Sequence, residues 1–336
     1  MKVALAITYH TNNKIFDLSD KAINRDNGVY PFFLLKEKLK EKGIDISTSD
    51  INTPEKSDLT IYFDYQKKLG FSKKNYLFLF ESNVIRPLGW DSNIHDKFDK
   101  VFTWSTPLID NVKYYETAYT HLFPNLEEIE NIKVCFKDKK LVTLISGNKS
   151  VDHENELYSK RVDVIKWFEK NNIFDFEFYG IGWDRPRSNN KYLNYLFSKN
   201  TFLNSFFYRY KSYKGSVESK THTLKNYKFC ICFENAQMIE GYITEKIFDC
   251  FFSATVPIYW GAPDIDKFIP KDCYIDFRDF LSLEDLYEHI SNMNECDYEK
   301  YINSAKNFLD SSNSNKFKCE YFVDNLVEHI VNDIKG

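Results

Sequence analysis

The sequence predicts an α/β protein made of two Rossmann-like domains that face a central cleft, followed by a C-terminal helix. Three observations support this prediction. The chain has 336 residues, which is enough for two domains. Short β-rich runs alternate with helical stretches twice along the chain, and a polar, charged segment separates the two series. We therefore expect an N-terminal domain over 1–130, a linker over 131–140, a C-terminal domain over 141–310 and a final helix over 311–336.

The first half contains four β-rich runs and one clear helix. The helical stretch begins at Pro31, because proline is favoured in the first turn of a helix, and it ends at Gly43. Each β-rich run is followed by polar or turn residues, which is typical of strands in an alternating α/β fold. The predicted strands are Val3–Tyr9, Leu59–Phe63, Tyr76–Phe80 and Lys100–Trp104.

The second half starts the alternation again with a strongly apolar strand. Its predicted strands are Leu141–Ile145, Phe174–Tyr179, Phe229–Phe233 and Val256–Trp260. Helices are predicted up to about Asn171, over Glu245–Phe252, and from a Ser282 cap through about Met293. Near the C-terminus apolar residues recur every four positions, which predicts an amphipathic final helix. These residues are Phe322, Leu326, Ile330 and Ile334.

The composition argues against a nucleic-acid partner and is rich in aromatic residues. The 45 Lys and Arg against 49 Asp and Glu give a net charge of −4, so overall charge does not favour nucleic acid. The 30 Phe, 23 Tyr and 5 Trp make 17% of the chain. We expect most of these rings in the core, and some of them in a ligand site or a surface patch.

The cysteines and the apolar runs indicate a reduced, cytoplasmic protein. The seven cysteines have no repeated spacing and so specify no disulfide framework. Cys230 and Cys232 fit buried small hydrophobes better than a zinc site, because no second Cys or His pair completes four ligands. The N-terminus lacks a signal-peptide cleavage site, and no apolar run is long enough to span a membrane.

The densest cluster of candidate site residues is residues 227–263, which we call the signature segment. A predicted buried strand ends at Phe233 and delivers Glu234 and Asn235 to the sheet edge where open α/β sheets bind ligands. A polar loop then leads to a helix whose first turn contains Glu245 and Lys246. Such a helix start favours phosphate, and Glu245 is placed to accept hydrogen bonds from ribose or sugar hydroxyls. A dipole-compensating Glu and a solvated Lys are the structural alternative.

The signature segment resembles the donor motif of glycosyltransferase family 10, the α-1,3/4-fucosyltransferases. The resemblance implies a GT-B-like fold and GDP-fucose as the donor. It also implies that Asn235, Tyr242, Glu245 and Lys246 bind this donor. The matching residues are Phe229, Ile231, Phe233, Glu234, Asn235, Tyr242, Thr244, Glu245, Lys246, Asp249, Val256, Pro257, Ile258, Tyr259, Gly261 and Pro263. The flanks of the segment are more weakly similar, and residues 1–75 add little.

Three residues outside the signature segment complete the site that the resemblance implies. Arg161 matches an arginine that contacts the donor pyrophosphate, and we assign Ser146, in the loop before that helix, to the donor site. Arg161 and Lys246 together could neutralise a nucleoside diphosphate without a metal. Glu81 follows an apolar strand and matches the family's general base. Inverting transfer needs one such carboxylate opposite the leaving group.

The resemblance thus implies an inverting, metal-independent transfer of L-fucose from GDP-fucose to a GlcNAc-containing or related glycan, with α-1,3-type linkage. We expect a glycan or a lipid-linked oligosaccharide as the acceptor, in protein glycosylation or cell-surface polysaccharide biosynthesis. No metal and no cofactor are expected, because the acidic strings at 62–66 and 276–280 lack a DxD motif. Two alternatives stay open: a related transferase with another nucleotide sugar, and a catalytically silent glycan- or nucleotide-binding module.

A basic aromatic stretch, residues 185–214, contains seven cations and many rings but no Asp or Glu. This pattern is typical of a peripheral membrane contact, which would suit a lipid-linked acceptor. An ordinary insertion or a wall of the acceptor site has the same composition. Binding of single-stranded nucleic acid also uses rings and cations, but it leaves the signature segment unexplained, so we expect no nucleic-acid partner.

Overall fold

The computed structural model describes residues 1–68, 70–132, 134–184, 192, 195–196 and 210–335. The chain forms two compact units, and both are discontinuous in sequence. The first unit consists of Met1–Phe123, Ile239–Glu245 and Ser312–Gly336. The second unit consists of Pro124–Met238 and Lys246–Ser311. The signature segment therefore contributes residues to both units.

Strands and helices alternate along the described chain, as the sequence predicts. The strands of the first unit are β1 (Lys2–Ala6), β2 (Asp45–Thr48), β3 (Leu59–Phe63), β4 (Lys74–Leu79), β5 (Lys100–Thr103) and β6 (Tyr114–Glu116). Those of the second unit are β7 (Lys140–Ile145), β8 (Phe176–Tyr179), β9 (Tyr227–Phe233), β10 (Val256–Trp260) and β11 (Ile275–Asp276). The α-helices are α1 (Tyr30–Glu41), α2 (Ser92–His95), α3 (Leu126–Glu130), α4 (Tyr158–Asn171), α5 (Lys220–Leu224), α6 (Glu245–Phe251), α7 (Leu283–Ser291), α8 (Glu295–Asp310) and α9 (Cys319–Lys335).

Both units contain a parallel sheet with the same kind of strand order. The first sheet has the order β2-β1-β3-β4-β5-β6, and the second has β11-β10-β9-β7-β8. In each sheet the first strand lies between the second and the third, so the direction of winding reverses beside it. Such a reversal leaves a crevice at the carboxyl ends of the strands, where open α/β sheets bind ligands. The reversals lie between β1 and β3 and between β7 and β9.

The sequence predicts the central strands well because both of their faces are buried. All five residues of β3 are buried, and such strands read as continuous apolar runs. The aromatic residues supply much of this core, as expected. The largest fully buried side chains among the described residues are all Tyr or Phe, including Tyr62, Phe78, Phe168 and Phe229.

The cysteines and the helix lengths also bear on the sequence predictions. All seven cysteines are free, and Cys230 and Cys232 are buried on β9 as predicted. Within the described residues, no helix combines the length and the apolar character needed to cross a bilayer.

The final helix, α9, completes the core of the first unit. Its buried residues include Val323, Leu326 and Ile330, which pack in one cluster with Val3 of β1 and Leu35 of α1. The periodicity predicted a helix with one apolar face, and the structure confirms it. The face that the pattern defines is the face that covers the first sheet.

Asp333 near the end of α9 fastens this helix to the first sheet. It accepts a hydrogen bond of 2.6 Å from the Tyr76 hydroxyl and pairs with Lys100 at 2.9 Å. Burial alone would raise the pKa of Asp333, but the bonds from Tyr76 and Lys100 outweigh it and hold the pKa below 3.8. A carboxyl whose folded pKa is depressed stabilises the protein above its unfolded pKa. This stability is lost as the pH falls through the folded pKa.

We therefore expect Asp333→Asn to lower the free energy of unfolding by about 1 kcal/mol near neutral pH. Urea unfolding should show that the difference from the parent protein shrinks as the pH falls below about 3.8. Asp324→Asn is the control. Asp324 also lies on α9, and its exposed pair with Lys38 of α1 should be worth less than about 0.5 kcal/mol. A difference that stays constant with pH would contradict the assigned role of the carboxylate.

Candidate functional site

Arg161 joins the ends of the two strands that flank the reversal in the second sheet. It lies on α4 and is only 4% exposed. Its Nη1 donates to Ser146 Oγ, directly after β7, at 3.0 Å. Its Nη2 donates to the carbonyl oxygens of Phe233 and Glu234 at 2.6 and 2.8 Å. The same nitrogen lies 3.1 Å from Asn235 Oδ1. Three predicted donor residues, Ser146, Arg161 and Asn235, thus lie together.

Lys246 lies in the first turn of α6 and pairs with a carboxylate that the sequence analysis did not assign. Its Nζ is 3.1 Å from Glu234 Oε2, and the Glu234 side chain is completely buried. A buried carboxylate needs such a partner, because an unpaired charge in the interior is costly. The predicted contact between Lys246 and a phosphate stays a prediction. The negative charge of Glu234 lies beside Lys246, so the net charge of the site includes both groups.

Gly261, after β10, gives Glu234 the space that it occupies. A Cβ at this position would lie 2.5 Å from Glu234 Cγ, closer than any real contact. The backbone of Glu234 also donates to the Trp260 carbonyl at 2.8 Å. Gly261 therefore leaves room for the buried Glu234 side chain, and a larger residue at this position would clash with it.

Glu81, the predicted base, lies at the carboxyl end of β4 in the first unit. Its backbone N–H donates to Asp64 Oδ1 at 3.0 Å, and its carbonyl accepts from Trp90 Nε1 at 2.9 Å. The Tyr242 hydroxyl lies 3.4 Å from Glu81 Oε2. The structure thus brings Glu81 and Tyr242 together, a contact that the sequence analysis did not predict.

Tyr242 belongs to Ile239–Glu245, the part of the signature segment that is part of the first unit. It is completely buried, and its ring centroid lies 4.8 Å from that of Trp104 and 6.0 Å from that of Tyr119. Burial raises the pKa of the Tyr119 hydroxyl well above its usual range. The Tyr242 hydroxyl and the carboxylates of Glu81 and Glu245 raise it further. The predicted base and the predicted donor residue Glu245 therefore act on one buried hydroxyl.

Gly241 allows this part of the segment to lie close to the backbone of Trp104 within the first unit. Its φ is +76°, and a Cβ there would lie 2.2 Å from the Trp104 carbonyl oxygen. We expect Gly241→Ala to lower the free energy of unfolding by about 2–4 kcal/mol, from the left-handed backbone and the clash together. Urea unfolding measures this loss. Gly43→Ala is the matched control, because Gly43 has a φ of +71° and nothing within 4 Å of its Cβ position. Equal losses in the two variants would contradict the close approach.

Two predictions about the surroundings of the site remain open. Most of the basic aromatic stretch lies outside the described residues, namely 185–191, 193–194 and 197–209, so membrane contact stays a prediction. Within the described parts of the chain, no group of three or more His, Cys, Asp or Glu side chains is arranged to hold a metal ion. Independence from metal also stays a prediction.

Curated fucosyltransferases are similar to parts of this chain. An α-(1,3)-fucosyltransferase of Helicobacter pylori, FucT, is 37% identical over 116 residues, which are 33% of this chain and 22% of that protein. Human α-(1,3)-fucosyltransferase 7 is 34% identical over 83 residues, 24% of each chain. The chain thus matches about a quarter of the length of these two relatives.

The fold and the family give the wider comparison. A crystal structure of an α1,3-fucosyltransferase with GDP-fucose has a TM-score of 0.56 and 17% identity, over 97% of this chain and 90% of that chain. This likeness shows a shared GT-B-type fold of two parallel sheets with helices. The model of the C-terminal part of glycosyltransferase family 10 (fucosyltransferase) matches residues 137–330, more than half of the chain. The protein belongs to glycosyltransferase family 10.

Proposed function

We propose that this protein transfers L-fucose from GDP-fucose to a hydroxyl of a GlcNAc-containing or related glycan, with inversion and without a metal. One observation carries the proposal. Arg161 joins Ser146 and Asn235 where the winding of the second sheet reverses, inside the region that matches the family. Such a reversal is where nucleotides bind in open α/β sheets.

On the donor side, we assign the phosphates of GDP to the carboxyl ends of β7 and β9. Arg161 is oriented by oxygen atoms of the protein itself, and a preorganised guanidinium stabilises developing charge at little reorganisation cost. Lys246 supplies the second cation. Asn235, Tyr242 and Glu245 hold the ribose, the base or the sugar. Ser146 completes the set of polar groups.

On the acceptor side, we assign Glu81 as the general base. Its carboxylate takes the proton of the acceptor hydroxyl while the hydroxyl oxygen forms a bond to the anomeric carbon of fucose. The bond from that carbon to the β-phosphate oxygen breaks on the opposite face, and GDP leaves with the electron pair. The Tyr242 hydroxyl, 3.4 Å from Glu81 Oε2, helps to orient the carboxylate. Arg161 balances the charge that develops on GDP together with Lys246, whose pair with Glu234 reduces its share.

Nucleotide binding and sugar transfer test this proposal directly. Titration calorimetry with GDP, UDP and ADP should show a clear preference for GDP. Incubation with GDP-fucose, a panel of GlcNAc-containing and lipid-linked acceptors, and EDTA should then release GDP and give a fucoside of inverted anomeric configuration by NMR. A preference for UDP or ADP would overturn the choice of donor and favour a related transferase. GDP binding without transfer to any acceptor would favour a silent binding module.

A further inference from the structure

The backbone around Glu81 is held by a carboxylate outside the family-matched region. Asp64 directly follows β3, and β3 pairs with β4, which precedes Glu81. Asp64 has a φ of +58°, and its own N–H donates to the Phe78 carbonyl at 2.9 Å. In this conformation Asp64 Oδ1 accepts the N–H groups of Phe80 and Glu81, at 2.9 and 3.0 Å. One oxygen atom thus holds two consecutive peptide groups.

Other side chains hold the carbonyl groups of the same two residues. Trp104 Nε1 donates to the Phe80 carbonyl at 2.9 Å, and the Tyr119 hydroxyl donates to it as well. Trp90 Nε1 donates to the Glu81 carbonyl at 2.9 Å. All four backbone polar groups of this dipeptide therefore have side-chain partners. A strand end is usually free to fray, whereas this one is fixed.

Geometry rather than charge explains why Asp64 suits this position. Burial raises the pKa of Asp64 above its usual value, against the two N–H bonds and the charge of Arg86, which lower it. A negative charge is therefore not favoured here for its own sake. The two bonds need an oxygen acceptor on a short side chain whose backbone tolerates a positive φ, and Asp and Asn both meet this requirement.

We propose that Asp64 is a positioning residue for Glu81, which it fixes through the backbone so that the base carboxylate meets the acceptor hydroxyl. This inference rests on the proposed function, in which Glu81 is the base. Asp64 holds the Glu81 backbone nitrogen, and the Glu81 side chain begins at the Cα atom bonded to that nitrogen. Movement of this peptide group therefore moves the carboxylate. A displacement of about 1 Å at a reacting group can cost about 100-fold in rate.

Asp64→Asn and Asp64→Gly form a matched pair of variants for the test. Asn keeps an oxygen acceptor, Gly removes it, and both tolerate the left-handed backbone. We expect Asp64→Gly to lower kcat about 10- to 100-fold, with the KM for GDP-fucose and the Kd for GDP within about twofold. Asp64→Asn should stay within about threefold of the parent kcat.

Several results would overturn the proposal. Full kcat in Asp64→Gly means that the position of Glu81 does not depend on Asp64. An equal loss in Asp64→Asn means that the charge is required and not the acceptor geometry. A loss in which the KM, the Kd for GDP and the thermal midpoint change together with kcat means a merely structural role.

If Asp64→Gly does not fold, Asp64→Glu takes its place, because it keeps the charge and displaces the oxygen. The proposal then requires the neutral Asn variant to be faster than the charged Glu variant, and the opposite order overturns it. Failure of the proposed function is recognised separately. It would appear as no fucosyl transfer by the parent protein, or as full activity in Glu81→Gln, whatever happens at Asp64.

Discussion

Glu81→Gln is expected to lower kcat for fucosyl transfer by about 10²- to 10⁴-fold, the usual contribution of a general base. The amide keeps the size of the side chain and an oxygen that the Tyr242 hydroxyl can still reach, but it cannot take a proton. Affinity for GDP should stay within about twofold, because the base acts on the acceptor and not on the nucleotide. Steady-state transfer assays and calorimetry measure the two quantities.

Glu240→Gln is the control for this experiment. Glu240 is exposed and lies in Ile239–Glu245, the part of the signature segment that belongs to the first unit. This variant should keep the parent kcat. Full activity in Glu81→Gln would contradict the assignment of the base. A large loss of GDP affinity in that variant would instead place Glu81 in the donor site.

Arg161→Ala is expected to affect both stability and donor binding. The substitution leaves the buried carbonyl groups of Phe233 and Glu234 without the guanidinium that they accept from. Unsatisfied buried polar groups cost about 1–3 kcal/mol each, so the free energy of unfolding should fall by about 3 kcal/mol or more. We also expect a loss of GDP affinity of about 100-fold, because a guanidinium bound to phosphate is a strong charge-assisted contact. Urea unfolding and calorimetry follow the two effects.

Two neighbouring substitutions show whether these effects are specific. Arg161→Lys keeps the charge but cannot reach four acceptors with a planar fork, so both losses should be intermediate. Lys160→Ala removes the adjacent cation, whose pair with Asp163 is exposed, and should change stability by less than about 0.5 kcal/mol. Unchanged stability in Arg161→Ala would contradict the structural half of this assignment.

The sequence predicts the central strands better than the edges and the polar helices. Buried parallel strands such as β3 and β9 consist of uninterrupted apolar residues, which makes them easy to recognise. The strand β11 has only two residues and gives no periodic pattern. The helix α8 is missing from the sequence prediction, although its Asn294 cap and its helical spacing of buried residues were both available as signals. These buried residues are Tyr298, Ile302, Ala305, Phe308 and Leu309.

Part of the candidate site was predictable for a simple reason. Side chains that follow neighbouring parallel strands meet at one edge, which brings Ser146 and Asn235 together, whereas Arg161, on α4, was assigned from the family resemblance. The pair between Glu234 and Lys246 depends on the packing of α6 against β9, and no local pattern encodes it. Asp64 was missed although it follows a predicted strand just as Glu81 does. The signal available in the sequence was the position of Asp64, an acidic residue directly after β3, the strand that pairs with β4.

Ribosomal synthesis gives the discontinuous first unit a fixed order of assembly. Its core needs Val3, which precedes the second unit in the sequence, and Leu326 and Ile330, which follow it. The second unit uses no residue beyond Ser311, so all of it is available earlier. Apolar surface that stays exposed until its packing partner has been synthesised promotes aggregation of nascent chains, and chaperones protect such surface. Translation of the unit that carries Glu81 therefore begins before that of the second unit and ends after it.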